Sequence, residues 1–584
     1  MNRREFLDLL VKSAVAANLS GCTSLRQSAS SDIYQMSSYG SARILHITDT
    51  HAQLMPVYFR EPNVNIGVGD AQGRFPHLVG KNLLDRLDAW DPLTRHALTY
   101  LDFSEAAESF GRVGGFAHIK TLVDRLRMEA GGQALLLDGG DTWQGSGTAL
   151  WTRGKDMVDA CNLLGVDVMT GHWEFTYQDA ETLANARRFN GAFVAQNVRA
   201  TEDALFEGVE VFDEDSGHVF PPYVVRDVSG RRVAVVGQAF PYTPIANPRR
   251  FIPDWTFGIR ESELQELVDE IRASERVDAV VLLSHNGMDV DLKLASRVSG
   301  IDFILGGHTH DGVPLPIEVQ NPRGVTVVTN AGSNGKFVGV LDLEFASSGV
   351  SGYRYRLLPV FANLLEPDVS MQALIDDVRK PYLDTLLEPL AETDSLLYRR
   401  GNFNGTFDQV ICDALRTQLD AQISLSPGFR WGTSVLPGDT ITMERVLDQT
   451  CMTYPETYVR EMSGEELKFV LESVCDNLFN PDPYYQQGGD MVRVGGLRFS
   501  CSPRQTMGNR ISDLEFEGGS KLDAAKFYKV AGWATVGSQA SGPAVWDVVA
   551  DHLRAQDVVR VPDLNQPTLK GVSGNPGVAD YGLV

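Results

Sequence analysis

Short apolar runs recur along the first half of the chain, and each breaks off into His, Asp or Gly. "ARILHITDTHAQL" passes from a buried strand, residues 43–48, into a polar loop; "ALLLDGGDTWQGS", "VDVMTGHWEF", "VDAVVLLSHNG" and "IDFILGGHTHD" repeat the form. Runs this short, bounded by turn residues, read as buried strands. Between them, "GGFAHIKTLVDRLRMEA" and "ESELQELVDEIRAS" carry their apolar residues at helical spacing. Strands alternating with helices predict an α/β layered domain. In such sheets ligands gather at the carboxyl ends of strands, where these polar residues fall.

The alternation ends near "GVLDLEF", residues 339–345. The pattern predicts a first domain over 41–362, a helical linker over 363–394 ("DVSMQALIDDVRKPYLDTLLEPLAE") and a second domain over 395–584. Residues 52–112 interrupt the first domain. "PVYFREPNVNIGVGDAQGRFPHLVG" reads as a long loop covering something, and a loop of that length in a compact domain is usually functional.

With 584 residues the chain is too long for one core. Its 52 Lys and Arg against 76 Asp and Glu give a net charge of -24, which argues against a nucleic-acid partner. A small anionic substrate remains compatible, because bound cations reverse the sign locally. The first 40 residues stand apart. Arg3-Arg4 followed by Phe6-Leu7 resembles a twin-arginine export signal, and "LSGC" resembles a lipobox that would make Cys22 a lipidated N-terminus. The expected location is therefore periplasmic, reached by the twin-arginine route, with or without a lipid anchor through Cys22. No later run reaches the ~18 apolar residues of a membrane span. The other five cysteines show no CxxC spacing, which predicts neither a thiolate metal site nor a disulfide framework.

Seven residues at predicted strand ends carry the candidate chemistry. Asp49 and His51 form an Asp-x-His pair that extended backbone would point the same way. Asp141 follows the second strand, His172 the third, His285 the fourth, and His308 and His310 the fifth. Five of the 11 histidines at equivalent positions of one domain predict a dinuclear metal site. Imidazole and carboxylate without thiolate suit Mn, Zn, Fe or Co. Two such ions ~3.5–4 Å apart can polarise a tetrahedral anion and supply a metal-activated hydroxide, which predicts hydrolysis of a phosphate-like or sulfate-like ester.

"DTHAQL", "GGDTWQGS", "GHWEF", "SHNG" and "GGHTHD", with the second domain, resemble the 5'-nucleotidase branch of the calcineurin-like metallophosphoesterases over about residues 41–570. The resemblance implies a layered αββα domain followed by a smaller α/β domain of 5'-nucleotidase C-terminal type. "YFREPN", "DGGDTWQGSGTALWTRG" and "GVDVMTGHWEFTY" are more narrowly similar to the thiosulfohydrolases of the Sox sulfur-oxidation pathway. That likeness implies two Mn2+ ions per chain, a monomer, and release of sulfate from a cysteine S-thiosulfonate on the SoxYZ carrier protein. A periplasmic 5'-nucleotidase or cyclic phosphodiesterase is the alternative. The resemblance assigns one ion to Asp49, His51 and His310, the other to His172, His285 and His308, and makes Asp141 the bridge.

Nucleotidases carry Gly-Asn-His-Glu-Phe-Asp where this chain has "GHWEFT", so His172 stands at a ligand Asn and Trp173 at a His that helps the leaving group depart. An alkoxide needs that help and a sulfur anion does not: a thiol has a pKa of ~8.5, against ~15.7 for bulk water. Asp141, His172 and Trp173 are thus the catalytic candidates. Arg430 matches a substrate-binding Arg of nucleotidases and suits a tetrahedral anion. Trp173, Asn404, Tyr454 and Asn286 are further candidate substrate contacts. The insertion at 52–112 is the expected wall of a channel for the carrier's arm.

Overall fold

Along the inner strands of residues 42–359, successive apolar side chains face opposite covered surfaces. Ile44, Leu135, Leu137, Val235, Val281, Leu283 and Leu305 meet between two sheets. Their neighbours Leu45, Ile47 and Leu136 face helices on one outer side, and Val236, Val280, Leu282 and Ile304 face helices on the other. Burial on both faces is why these runs lack polar alternation. The result is the expected αββα sandwich of two six-stranded sheets. In this computed structural model residues 33 to 578 are described. The Arg3-Arg4 motif and Cys22 lie outside the described residues. Among those described, no helix is long and apolar enough to cross a membrane.

Five strands deliver the site: β1 (Ala42–Ile47), β2 (Ala134–Asp138), β3 (Val168–Met169), β4 (Ala279–Ser284) and β5 (Phe303–Gly306). The first three run parallel in one sheet, and β4 and β5 run parallel in the other. Their carboxyl ends open at the same edge of the sandwich.

The second domain contains a four-stranded sheet ordered Thr457–Ser463, Phe527–Trp533, Ile423–Ser426 and Arg493–Gly495. It begins earlier than the linker pattern predicts. Strand Pro389–Thr393 already pairs with Thr440–Thr442 and Val558–Val559. The linker helix Val369–Arg379 packs Met371 and Ile375 into the first domain's core.

Residues 52–112 are not the covering loop that their Gly and Pro content suggests. They hold helices Gly80–Leu87, Pro92–Leu98 and Phe103–Phe110, and they strap the two domains together. Val64, Ile66 and Val68 alternate in "VNIGV" and enter the second domain's core beside Ile423, Leu425 and Val494. The amide of Ile66 donates to Asn402 Oδ1 at 2.7 Å. The Arg60 guanidinium lies 4.0 Å from the Tyr398 ring centroid. Lys336 and Glu61 form a buried ion pair at 2.7 Å. The end of the chain joins in, with Asn65 N donating to Gly577 O and Asn575 Nδ2 to Gly67 O.

Truncating Ile66 should therefore destabilise a domain to which it does not belong in sequence. Ile66→Ala is expected to cost about 2–4 kcal/mol, read as a lower melting temperature for the second domain by calorimetry. A wild-type melting profile would remove the strap from the stability of that domain.

Candidate metal centre

Asp49 and His51 come together for a reason other than the extended spacing predicted. Both sit in left-handed backbone, with φ of 51° and 47°, as do Asp141 (56°), His308 (71°) and His310 (60°). Non-glycine residues seldom adopt that region, and they concentrate where a site dictates side-chain position. Backbone bonds lock the turns to one another: Asp49 N donates to Gly140 O, His51 N to Asp141 O and Asn334 N to Asp49 O, each at 2.8 Å.

Two buried groups result. Asp141, His172, His285 and His308 form one, and Asp49, His51, Asp141 and His310 the other; within each, the ligand atoms lie within 4.8 Å of one another. Asp141 belongs to both. Its Oδ2 is 3.0 Å from His285 Nε2 and 3.4 Å from His172 Nδ1, and 3.7 Å from His51 Nε2 across the centre. Asp49 Oδ1 is 3.3 Å from His310 Nε2.

These residues fit a pair of cations. His51 and His285 donate Nδ1–H to the carbonyls of Gln144 and Gly139, which turns the Nε2 lone pair of each inward. His51 Nε2 then faces His310 Nε2 at only 3.1 Å, and neither ring nitrogen of His172 has a hydrogen-bond partner. Burial lowers the basicity of the His285 imidazole, but Asp141 and Asp49 more than reverse this and raise its pKa to about 10. A proton there occupies the place a cation would take. Burial pushes the Asp141 carboxyl up, yet His285 and His172 hold it well below the usual range.

Glu174, which the pattern of strand-end His and Asp does not mark, supports the centre from behind. It is fully buried, and its carboxylate accepts four backbone N–H groups. Oε1 takes Thr142 and Trp143 at 2.8 and 3.1 Å; Oε2 takes Asp141 and His172 at 3.2 and 2.8 Å. One side chain thus ties the Asp141 turn to the His172 turn. The Glu of "GHWEF" was the available signal.

A cavity of about 290 Å³ opens over the centre, between the two domains. Trp173, Phe240, Phe429, Trp431 and Arg430 line it. Trp173 stands edge-on to Phe429 (5.5 Å, 89°) and Trp431 (5.2 Å, 81°), so this first-domain residue belongs to a second-domain aromatic cluster. Phe429 and Trp431 flank Arg430 in "GFRWG" and were not singled out from the sequence.

The other substrate candidates fare differently. Arg430 reaches the cavity, while its guanidinium donates to Gly489 O and His308 O and lies 3.6 Å from Asp490. Tyr454 offers the cavity its ring, because its hydroxyl donates to Ala246 O. Asn404 does not reach the cavity: its amide clasps the backbone of Val494 in both directions, at 3.0 and 3.2 Å. Asn286 borders a smaller polar cavity behind His308, and its amide is engaged by Gln238 and Asp291. Arg400 borders that cavity too and donates to Thr309 O and His310 O. The insertion contributes Asn65, Ile66, Pro76 and His77 to the smaller cavity and nothing to the larger, so the expected channel wall is corrected.

Two family models match the chain: calcineurin-like phosphoesterase over residues 42–312 and 5'-nucleotidase, C-terminal domain, over residues 391–550. The solved structure of Thermus thermophilus sulfate thiohydrolase SoxB in complex with glycerol is similar at a TM-score of 0.84 and 36% identity, over 92% of this chain and 98% of that one. The trifunctional nucleotide phosphoesterase protein YfkN of Bacillus subtilis is 26% identical over 73% of this chain, a match that spans 31% of its own length. The 5'-nucleotidase of Rattus norvegicus is 28% identical over 66% of this chain and 69% of its own length.

Purified protein should carry two divalent ions per chain by elemental analysis. Asp141→Asn should lose both together, and retention of one tightly held ion would refute the bridging role. Glu174→Gln replaces one of two doubly accepting oxygens with a donor. It should weaken metal affinity by about 10–100-fold, measured by competition with a chelator, and an unchanged affinity would show that the cradle is dispensable.

Proposed function

The chain belongs to the calcineurin-like phosphoesterases that carry a 5'-nucleotidase C-terminal domain, and we propose that within this family it is a thiosulfohydrolase. It is a metal-dependent hydrolase with two candidate metal sites. The proposed substrate is a cysteine S-thiosulfonate on the SoxYZ carrier protein, and the proposed product is sulfate.

One observation carries this reading. Among the described residues, every imidazole lining the cavity (His172, His308, His310) belongs to a metal group, and the ring standing beside them is an indole, Trp173. No lining imidazole is free to protonate a leaving group, a contribution typically worth 10²–10⁴-fold. A leaving group stable as an anion is the chemistry such a wall accommodates. The similarity to the Thermus thermophilus sulfate thiohydrolase supports the same choice.

Two divalent ions, manganese by this proposal, would supply positive charge for the sulfonate oxygens and an activated water. The chain's residues do the rest. Asp49 and Asp141 with the five histidines fix the charge at one end of the cavity. Trp173, Phe429, Trp431 and Phe240 give the cavity an apolar, polarisable surface beside the ligands, which suits sulfur better than alkoxide. Arg430 adds positive charge to the rim. Water adds to the sulfonate sulfur, the sulfur–sulfur bond breaks, and its electron pair leaves on the carrier's sulfur. Sulfate is released, and the two protons of the water pass to solvent. Phe429 is stacked on Trp431 at 4.2 Å and 14°, so one of its faces is already covered, which disfavours a nucleobase there.

The decisive assay is sulfate release from thiosulfonate-loaded carrier protein. The native enzyme should turn it over while leaving AMP intact. Trp173→Ala should slow release on the order of 10²-fold with both metals still bound. Wild-type release by that variant would remove Trp173 from the site's work. Phosphate release from AMP faster than sulfate release from the conjugate would overturn the thiosulfohydrolase reading in favour of a nucleotidase.

The leader motif supports a periplasmic setting reached by the twin-arginine route. Replacing both Arg3 and Arg4 with Lys should leave the protein in the cytoplasm on cell fractionation. Normal periplasmic accumulation of the double variant would refute the route.

A further inference from the structure

The five cysteines of the described residues are buried thiols, and two of them touch. Cys475 lies on helix Gly464–Phe479, and Cys501 is the last residue of strand Leu497–Cys501. Their sulfurs are 3.5 Å apart inside the second domain's core, beside Leu471, Phe479, Leu497 and Ile511. We propose that Cys475 and Cys501 form a redox pair that closes to a disulfide and braces one wall of the active-site cavity.

The two sulfurs are already in van der Waals contact. A disulfide needs its sulfurs at about 2.05 Å, an approach of roughly 1.5 Å from the observed contact, within reach of side-chain rotation. Helix and neighbouring backbone are already fastened to each other. Glu472 accepts the amides of Gly508, Arg510 and Ile511, and Arg510 pairs with Asp476.

The position gives the bond a consequence. The chain between the two cysteines contains Gln487, Gly488, Gly489 and Asp490, which line the cavity, as do Val474 and Asn477 on either side of Cys475. Gly488 has φ +83°, and a Cβ there would stand 2.0 Å from His308 Nε2, so only glycine lets this wall run so close to a candidate ligand. A bond between Cys475 and Cys501 ties both ends of that segment to one point.

The chemistry requires an external disulfide as oxidant, whether a protein disulfide or a small one. One cysteine thiolate attacks the donor and expels a donor thiol. The second thiolate attacks the mixed disulfide and expels the other. Two protons are lost from the pair, both of its sulfurs are oxidised, and the donor disulfide is reduced to two thiols. Cys475 and Cys501 are both fully buried, so exchange requires the helix to open from the strand.

The test uses the full chain, refolded with its metal in a buffer of oxidised and reduced glutathione. It is then labelled with iodoacetamide under denaturing conditions and mapped by mass spectrometry. Cys161, Cys412 and Cys451 should label directly, and Cys475 and Cys501 only after reduction. A reductant should lower the melting temperature of the wild type by about 5–10 °C and leave Cys501→Ala and Cys475→Ser unaffected. Direct labelling of both cysteines in the refolded wild type would overturn the proposal, as would an equal response of wild type and variants to the reductant. Because the readouts are labelling and melting, neither result depends on which ester the enzyme hydrolyses.

Discussion

Asp141 offers one carboxylate to two clusters of ligands, and the rest of the first domain is arranged around that sharing. Two carboxylates and five imidazoles converge where almost no water reaches, and buried charge of one sign is costly unless paired. Cations at the centre relieve that cost, and the raised basicity of His285 registers the same demand when only a proton is available. The strained turns follow from it. Five of the seven candidate ligands adopt left-handed backbone, which survives because backbone bonds between the turns and the Glu174 cradle leave no alternative.

A second constraint sits one layer out. The cavity takes its walls from both domains, so its shape depends on their being held in one relation. The strap at 52–112 supplies this by burying Val64, Ile66 and Val68 in the second domain's core while Glu61 is anchored on Lys336 of the first. Trp173 works in the other direction, carrying the turn that holds the candidate ligand His172 into the second domain's aromatic cluster. The metal-bearing floor and the apolar wall are thus set by separate elements. An aromatic wall thus stands above a floor whose sequence relatives include nucleotide hydrolases.

The second domain shows how far a polar residue's type falls short of its role. Asn404 and Asn286 have both ends of their amides engaged by the protein, and the Tyr454 hydroxyl is engaged by a backbone carbonyl. Such groups hold the site's surroundings in place and offer the substrate little. Arg430 remains a rim residue although much of its guanidinium is spoken for by Gly489 and His308 carbonyls.

By itself the sequence determined the layered fold and the seven candidate ligands. Apolar runs covered on both faces have a local signature, and a polar residue at a parallel strand's carboxyl end is delivered to the sheet edge whatever else the chain does. It did not determine how Asp49 and His51 converge, because the left-handed turns are imposed by the partner turns at Gly140 and Asp141. It hid Glu174, whose four donors come from two turns far apart in the chain, and it disguised "VNIGV" as loop, because the core that buries its alternating side chains is made by residues more than three hundred positions away. Tertiary structure alone decided which polar groups were already satisfied and which were left facing the cavity. That outcome depends on every partner within hydrogen-bonding reach, and a linear chain does not say which partners those will be.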